Sequence, residues 1–525
     1  MNNKVIITNL AALKSKYGAA GLKKVRAAIK TLITADKARG FQTRLVALDS
    51  ATTMKKLKDK KVVAPLDPKQ NKDAVDAIYN ALAPDYLLLL GSIDVIPHQD
   101  LLNPVFGTDD PDHLAPGDLP YSCAAPYSQH PQDFIGPTRV VGRLPDLTGA
   151  TDPAYLLGLL ATAANWKSLT PADYSAYFGI SADVWKNSTA LSLQKIFGSS
   201  TALQLAPPGG PNWTATLLAS RSHFINCHGA EVDPQFYGQK GSSYPVSHRA
   251  AYINGKITEG TVAAIECCYG AQLYDPNQLN GQAGIGNTYL ANKAYGYFGS
   301  STIAYGPAAG NGSADLICQY FLRRVVTGAS LGRAALEARQ EFAGGAAELD
   351  PVDLKTLAQF SLLGDPSIHP VAVDSPQTSV AKPQGLAVAK ALFAEAADAA
   401  VARADRRRQL LARGLRIGAT QAFATKMAKP KLAQSILASL KQMAAKAGLA
   451  SPRILSFNID APAAAKASLA RAMKAGPMTK MAAPDALHVV TSVRTVAGIA
   501  TPQIVAMIAK EAGGKITSYR EMHSR

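Results

Sequence analysis

At 525 residues, 47% of them hydrophobic, the chain is too long for one core and fits a soluble globular protein of roughly two to four domains or subdomains. No apolar run approaches the roughly 18 to 20 residues of a membrane span, which excludes a transmembrane helix. The formal charge of +17 admits nucleic acid, an acidic partner or plain solubility, so its distribution matters more than its size.

The opening stretch MNNKVIITNLAALKSKYG lacks a charged segment, a long apolar stretch and a small-residue cleavage site in series. A signal peptide is therefore not expected, and a cytoplasmic location is. Strand-length apolar runs at 5–8, 43–49 and 86–90 alternate with helical periodicity up to residue 33 and over 74–82. Continuous apolar strands separated by amphipathic helices predict a doubly wound parallel sheet. Residues 102–150 are rich in Pro, Gly and Asp, and the run Arg139-Val140-Val141-Gly142-Arg143 reads as part of a hairpin excursion.

From 154 the alternation resumes, with a helix to 167, a strand at 177–181, a helix over 185–197 and a strand at 202–205. Two strands carrying the motifs below follow, then a buried strand over 299–305 and helices across 313–326 and 330–343. The predicted fold is α/β, with an N-terminal subdomain over 1–150 and a second over 151–370 that share or abut a sheet. Residues 371–383, with several Pro, Ser and Thr, read as a linker. In the Ala/Lys-rich segment 384–525, basic side chains far outnumber acidic ones. Helical periodicity at 386–413 and 429–447 and strand patterns at 453–457 and 487–493 predict a small α/β or α-rich C-terminal domain.

Five cysteines, Cys123, Cys227, Cys267, Cys268 and Cys318, are few and odd in number, which fits free thiols in a reducing compartment. Three of them cluster at two strand ends, Phe224-Ile225-Asn226-Cys227-His228-Gly229 and Val262-Ala263-Ala264-Ile265-Glu266-Cys267-Cys268-Tyr269-Gly270. Each apolar run stops in a polar, Gly-containing turn, and one turn delivers a His while the other delivers a Cys. Neighbouring strands of a parallel sheet end on the same edge, so the two turns can meet in a crevice. A nucleophile and a proton carrier are the minimum for thiol catalysis. The backbone N–H groups of Gly229 and of the strand-end cysteine Cys268 could together form an oxyanion hole. Composition and position leave the ordinary alternative standing, a core cysteine and a structural histidine.

Four further blocks come in order along the chain: Leu87-Leu88-Leu89-Leu90-Gly91-Ser92-Ile93-Asp94-Val95-Ile96-Pro97, Val140-Val141-Gly142-Arg143-Leu144-Pro145, Cys268-Tyr269-Gly270-Ala271-Gln272-Leu273 and Leu362-Leu363-Gly364-Asp365-Pro366-Ser367. With His228-Gly229 and Cys268, they resemble the gingipain-like cysteine peptidases of the caspase-like group, which also holds caspases, legumains and separases. The resemblance covers about residues 1–370. It implies caspase-like parallel sheets in two subdomains and a cysteine endopeptidase working through a His228/Cys268 dyad and a thioester acyl-enzyme. No cofactor is required for that chemistry. Cys267 and Cys268 would face opposite sides of a strand. The following Ala271-Gln272-Leu273 and the Cys-x-Gly form of Cys268-Tyr269-Gly270 select Cys268, with Cys267 the alternative nucleophile and Cys227 read as core.

In the family an acidic residue reads the side chain before the cut, and Asp183 resembles the one that binds a basic side chain, which implies cleavage after Arg or Lys. Asp183 has two other readings, orienting His228 or capping the following helix. Glu231, in His228-Gly229-Ala230-Glu231, resembles the family's His-Gly-Ser-Glu form and would shape the loop or hold a cation, against a plain solvated carboxylate. Gingipains carry calcium, so a structural calcium ion is compatible with the resemblance. No run here has EF-hand spacing, and metal-binding residues stay unknown. The Gly-rich stretch Tyr305-Gly306-Pro307-Ala308-Ala309-Gly310-Asn311-Gly312 is expected to line the cleft.

Gingipains are secreted and carry an immunoglobulin-like domain, whereas this chain has the basic tail and is read as an intracellular protease. The expected partners are a protein or peptide substrate and, through 384–525, a regulatory partner, with no membrane. Without interleaved aromatics the tail is not read as a nucleic-acid surface. Arg406-Arg407-Arg408, on a predicted exposed helix, is a candidate for self-processing. A second reading, from a binding class, is a catalytically silent caspase-like scaffold whose basic tail engages an acidic partner or nucleic acid.

Overall fold

The computed structural model describes residues 2–307, 309–372, 386–428, 430, 432–462, 486–494, 499 and 501–525, so the expected linker at 371–383 lies outside the described residues from 373 onward. One ten-stranded sheet runs through both halves of the first 370 residues. Its order is Phe41–Ala47, Asn2–Thr8, Tyr86–Leu90, Val141–Leu144, Phe360–Gly364, Gly296–Ser300, Val262–Ile265, Ser222–Asn226, Tyr177–Ala182 and Leu203–Ala206. Leu87, Leu88, Leu89 and Leu90 are at most 1% exposed, as expected of a strand covered on both faces by helices. The helix Leu10–Ala38 buries Val25, Ile29 and Leu32 at four- and three-residue spacing. It starts on Asn9, whose side chain accepts the Ala12 N–H at 3.0 Å.

Strand direction reverses once. Gly296–Ser300 runs antiparallel to Phe360–Gly364, which is parallel to Val141–Leu144. Strands of the two halves therefore end on opposite edges, and the His228 and Cys268 turns lie on the edge belonging to the second half. Buried charge ties the end of Phe360–Gly364 to the first strands: Lys4 pairs with Asp365 and lies 3.0 Å from Asp36, all three with fully buried side chains.

Two expectations are corrected. The run 139–143 is no hairpin, because Val141–Leu144 is a buried strand parallel to Tyr86–Leu90. Arg143 tolerates that burial because its guanidinium bonds Asp118 at 2.9 and 2.6 Å and the carbonyls of Gly91 and Ile96 at 2.9 and 2.7 Å. The strand expected at 299–305 is split, with Gly296–Ser300 in the large sheet and Tyr305–Gly306 in a second one.

That second sheet has seven strands, in the order Tyr305–Gly306, Lys515–Ser524, Gln503–Ala512, Ala486–Arg494, Arg453–Asp460, Ala422–Lys426 and Glu348–Leu349. The helix Gln434–Lys446 lays Ile436, Leu440 and Ala444 on its Val490 and Met507. Both outermost strands belong to the first 370 residues, so the C-terminal segment is tied to the body at each edge of its own sheet. No helix among the described residues is long and apolar enough to cross a membrane.

Candidate active site

The strands Ser222–Asn226 and Val262–Ile265 are parallel neighbours, with Ile225 opposite Ile265, so the turns after them open on one edge. The residues beyond the first strand, His228–Gly229, pair antiparallel with Gln235–Tyr237. This brings Gly229 against the cysteine turn so closely that a Cβ on it would lie 1.8 Å from the Cys268 carbonyl oxygen. Only glycine fits there. Cys267 and Cys268 face different cores: Cys267 packs with Cys227, Ile225 and Ile265, and Cys268 with Ile303, Ala304 and Tyr305. The Cys268 Sγ accepts the Ala304 N–H at 3.3 Å and lies 3.5 Å from the Ala304 oxygen. Burial pushes the Cys268 thiol up to about 12 and the Cys267 thiol well above its usual range.

His228 is 2% exposed, with its ring 4.3 Å from that of Trp185 and 5.2 Å from that of Tyr244. Its Nε2 lies 2.8 Å from Gln239 Oε1. The Gln239 amide nitrogen donates to the Gly241 carbonyl at 3.0 Å and to the Tyr244 hydroxyl at 2.8 Å, so its oxygen faces the histidine. The tautomer follows from this network: Nε2 carries the proton and Nδ1, which has no partner, keeps its lone pair. Burial lowers His228 to about 3, so the ring is neutral.

The crevice between these turns holds Arg525. Its backbone oxygen accepts the Gly229 N–H at 3.2 Å and the Cys268 N–H at 3.1 Å, and its own N–H donates to the Ala304 oxygen at 3.0 Å. Ahead of it, Ser524 and His523 pair antiparallel with Tyr305 and Gly306. The Arg525 guanidinium is fully buried. It donates to both Asp315 oxygens at 3.0 Å and to the Pro307 carbonyl at 2.8 Å, and it stacks 4.3 Å from the Trp185 ring. Asp315 sits in the first turn of the helix Ser313–Val326, where a carboxylate is favoured, and also accepts from Ser188 at 2.7 Å. Gly306 completes the pocket, since a Cβ there would fall 2.2 Å from the guanidinium. Glu266 lies beside Asp315 with both oxygens buried; burial and the Asp315 carboxylate, to which it hydrogen-bonds, raise its carboxyl and hold it protonated.

No family model and no curated protein matches the chain. Among solved structures, the chain is similar to one described only as a protease, at 14% identity and TM-score 0.45 with 97% of each chain covered. It is also similar to the Arg-specific cysteine proteinase gingipain R, at 10% identity and TM-score 0.46, over 99% of this chain and 97% of that one. Over 44% of its length it is similar to 14% of a chain in the Saccharomyces cerevisiae separase–securin complex, at 14% identity and TM-score 0.28. The chain has the parallel α/β architecture expected from its motifs, and the site residues rest on the geometry above.

The other expected residues are placed as follows. Asp183 pairs with Lys186 at 3.3 Å; its carboxylate caps no helix, and neither His228 nor Arg525 is among its partners. Trp185, two residues on, is the side chain from that turn that reaches the site. Glu231 borders a cavity of about 560 Å³ beside the cysteine turn, lined also by Asp112, His113, Tyr269 and Gln272, and its N–H donates to Thr501 at 3.0 Å. Among the described residues no group of three or more His, Cys, Asp or Glu side chains is arranged to hold a metal ion. Arg406, Arg407 and Arg408 lie inside the helix Leu386–Thr420, with Arg407 on Asp85 at 3.0 Å.

Sequence reading passed over Asp315, Trp185, Gln239 and Arg525. Asp315 had a usable signal, an acidic residue opening a helix directly after the Gly-rich stretch expected to line the cleft. Gln239 and Arg525 had none, since nothing local ties them to the two turns. The cleft strand is held from behind by Lys355, which bonds Asp110 at 2.6 Å and Asp112 at 2.9 Å; these carboxylates accept the hydroxyls of Tyr305 at 2.8 Å and Tyr269 at 2.6 Å.

Proposed function

We propose that the protein is a cysteine endopeptidase that cleaves peptides after arginine, with Cys268 as nucleophile and His228 as proton carrier. One observation carries the reading: Arg525 is held at both ends, its backbone oxygen on two amides at 3.1 and 3.2 Å and its guanidinium on Asp315 at 3.0 Å. A substrate arginine held the same way would place its carbonyl oxygen on the Cys268 N–H, in the residue that carries the nucleophile. The sulfur adds to the carbonyl carbon as the thiol proton passes to His228 Nδ1, and the oxyanion is met by the Gly229 and Cys268 N–H groups. Collapse breaks the C–N bond while the imidazolium gives its proton to the leaving amine, leaving a thioester. Water then adds, His228 taking its proton, and the acid product and the reprotonated thiol separate.

Arginine is favoured over lysine because its flat guanidinium stacks on the Trp185 ring while one of its nitrogens meets Asp315 and the Pro307 carbonyl. The paired strand Tyr305–Gly306 suits an extended chain ahead of the cut, and so a protein or peptide substrate. The five unpaired, buried cysteines go with a reducing, intracellular setting. Self-cleavage at Arg406, Arg407 or Arg408 would require their helix to unwind.

The test is a reporter panel with Arg, Lys, Asp or Asn before the cut, run on the full chain and on Cys268→Ala at up to millimolar peptide so that it competes with Arg525. Hydrolysis of the Arg peptide by the wild type and its loss in Cys268→Ala are expected. Equal turnover in the variant would end the assignment.

A further inference from the structure

Arg525 belongs to the chain itself, and this bears on how the site is governed. Its strand, Lys515–Ser524, is an interior member of the seven-stranded sheet, hydrogen-bonded to Gln503–Ala512 along its length. The strand is also fastened to the body away from the pocket: Arg520 bonds Asp353 at 2.9 Å and contacts Asp350, and nearby Thr501 accepts the Glu231 N–H at 3.0 Å. With this segment in place Cys268 is 1% exposed and both amides of the oxyanion hole are already used. No second peptide can enter.

We infer that residues 515–525 are a tethered, arginine-bearing occupant of the cleft, which covers Cys268 until the strand is displaced; the inhibitory consequence rests on the peptidase reading above. The occupant enters the way β-strand ligands enter an open sheet edge, through antiparallel main-chain pairing on Tyr305–Gly306, with one side chain in a specific pocket. Tethering supplies it at an effective concentration on the order of millimolar, so modest intrinsic affinity is enough to keep it seated. Such an occupant is exchangeable. The partner able to replace it is a peptide whose arginine fills the same pocket.

The test compares the full wild-type chain with Arg525→Ala and Arg525→Met, the second keeping much of the stem's bulk. Iodoacetamide alkylation of Cys268, located by peptide mass spectrometry, reads access to the thiol without needing any peptidase activity. Arg-peptide hydrolysis is followed in parallel. Losing the buried ion pair is expected to speed both by at least about tenfold. On the unmutated chain, millimolar acetyl-arginine should accelerate hydrogen exchange of the 515–525 amides. Faster alkylation with no hydrolysis in any variant would support the covering and end the peptidase reading. Alkylation and hydrolysis rates equal in all three chains, with unchanged exchange, would overturn the inference.

Discussion

The Arg525 guanidinium rests on both oxygens of Asp315 at 3.0 Å, a fully buried pair 210 residues apart in the chain. The carboxylate and guanidinium meet with stacking and a carbonyl alongside, which offsets the cost of burying either charge alone. On the proposed function, Asp315 is the acid that would read the substrate.

Asp315→Asn keeps the shape and removes the charge. It is expected to lower kcat/KM on an Arg peptide by about 100-fold, the size of a lost buried charge-assisted contact. Asp183→Asn, at a carboxylate that pairs with Lys186, should change it by less than about twofold, as a partly exposed ion pair would. Steady-state kinetics on both variants decide between the two carboxylates, and the reverse ranking would return the pocket to Asp183.

A methyl group at Gly306 would sit 2.2 Å from the Arg525 guanidinium, so Gly306→Ala should exclude arginine from the pocket. Two readouts move in opposite directions. Inhibition by acetyl-arginine weakens by at least about tenfold, while Cys268 alkylation accelerates because the internal arginine is expelled as well. A variant that keeps acetyl-arginine affinity would show that the pocket does not take the guanidinium.

Gln239 Oε1 meets His228 Nε2 at 2.8 Å, and on the proposed function it positions the ring. Gln239→Ala frees the Nε2 proton and the ring orientation, and kcat should fall about tenfold with KM little changed. Gln239→Glu puts a carboxylate on the Nε2 proton, which favours imidazolium and raises the His228 pKa. The acid limb of the kcat/KM profile should therefore move to higher pH. Profiles that superimpose for Glu and Gln would remove Gln239 from this role.

Burial lowers His98, His223 and His369 to about 4 and His228 and His248 to about 3, against 6.5 for the free side chain. Below 6.5 the unfolded chain binds protons that the folded chain refuses, so stability falls from 6.5 down toward 3 to 4. Glu266, held protonated in the fold, works the other way, as do the carboxyls of Asp36, Asp110, Asp233 and Asp350, which burial raises as well. Urea midpoints should be lower at about pH 5 than at about pH 7.5, and identical midpoints would contradict this balance.

The reading of local sequence went far where chemistry is local. Apolar runs at 86–90, 222–226 and 262–265 are strands because each is buried on both faces, and the turns after the last two lie together because parallel neighbours end on one edge. The meeting of the His228–Gly229 turn with the cysteine turn was therefore legible from pattern and spacing, as was the opposition of Cys267 and Cys268, whereas the choice of Cys268 came from the resemblance. The strand at 141–144 was hidden because a charged Arg143 marks a surface run unless Asp118 and two distant carbonyls are known to meet it. Asp183 drew attention through its position after a strand, while the residue that meets the site from that turn is Trp185. What only the tertiary structure decided is the pairing of positions that no spacing rule connects: Asp315 with Arg525, Gln239 with His228, and Tyr305–Gly306 with the strand before Arg525. Strand ends and side-chain alternation follow from short-range geometry, whereas the contacts of Arg525 depend on where a reversed sheet and a second sheet bring segments as far apart as Gly229 and Arg525, 296 positions, with Cys268 and Arg525 257 apart and Glu231 and Thr501 270.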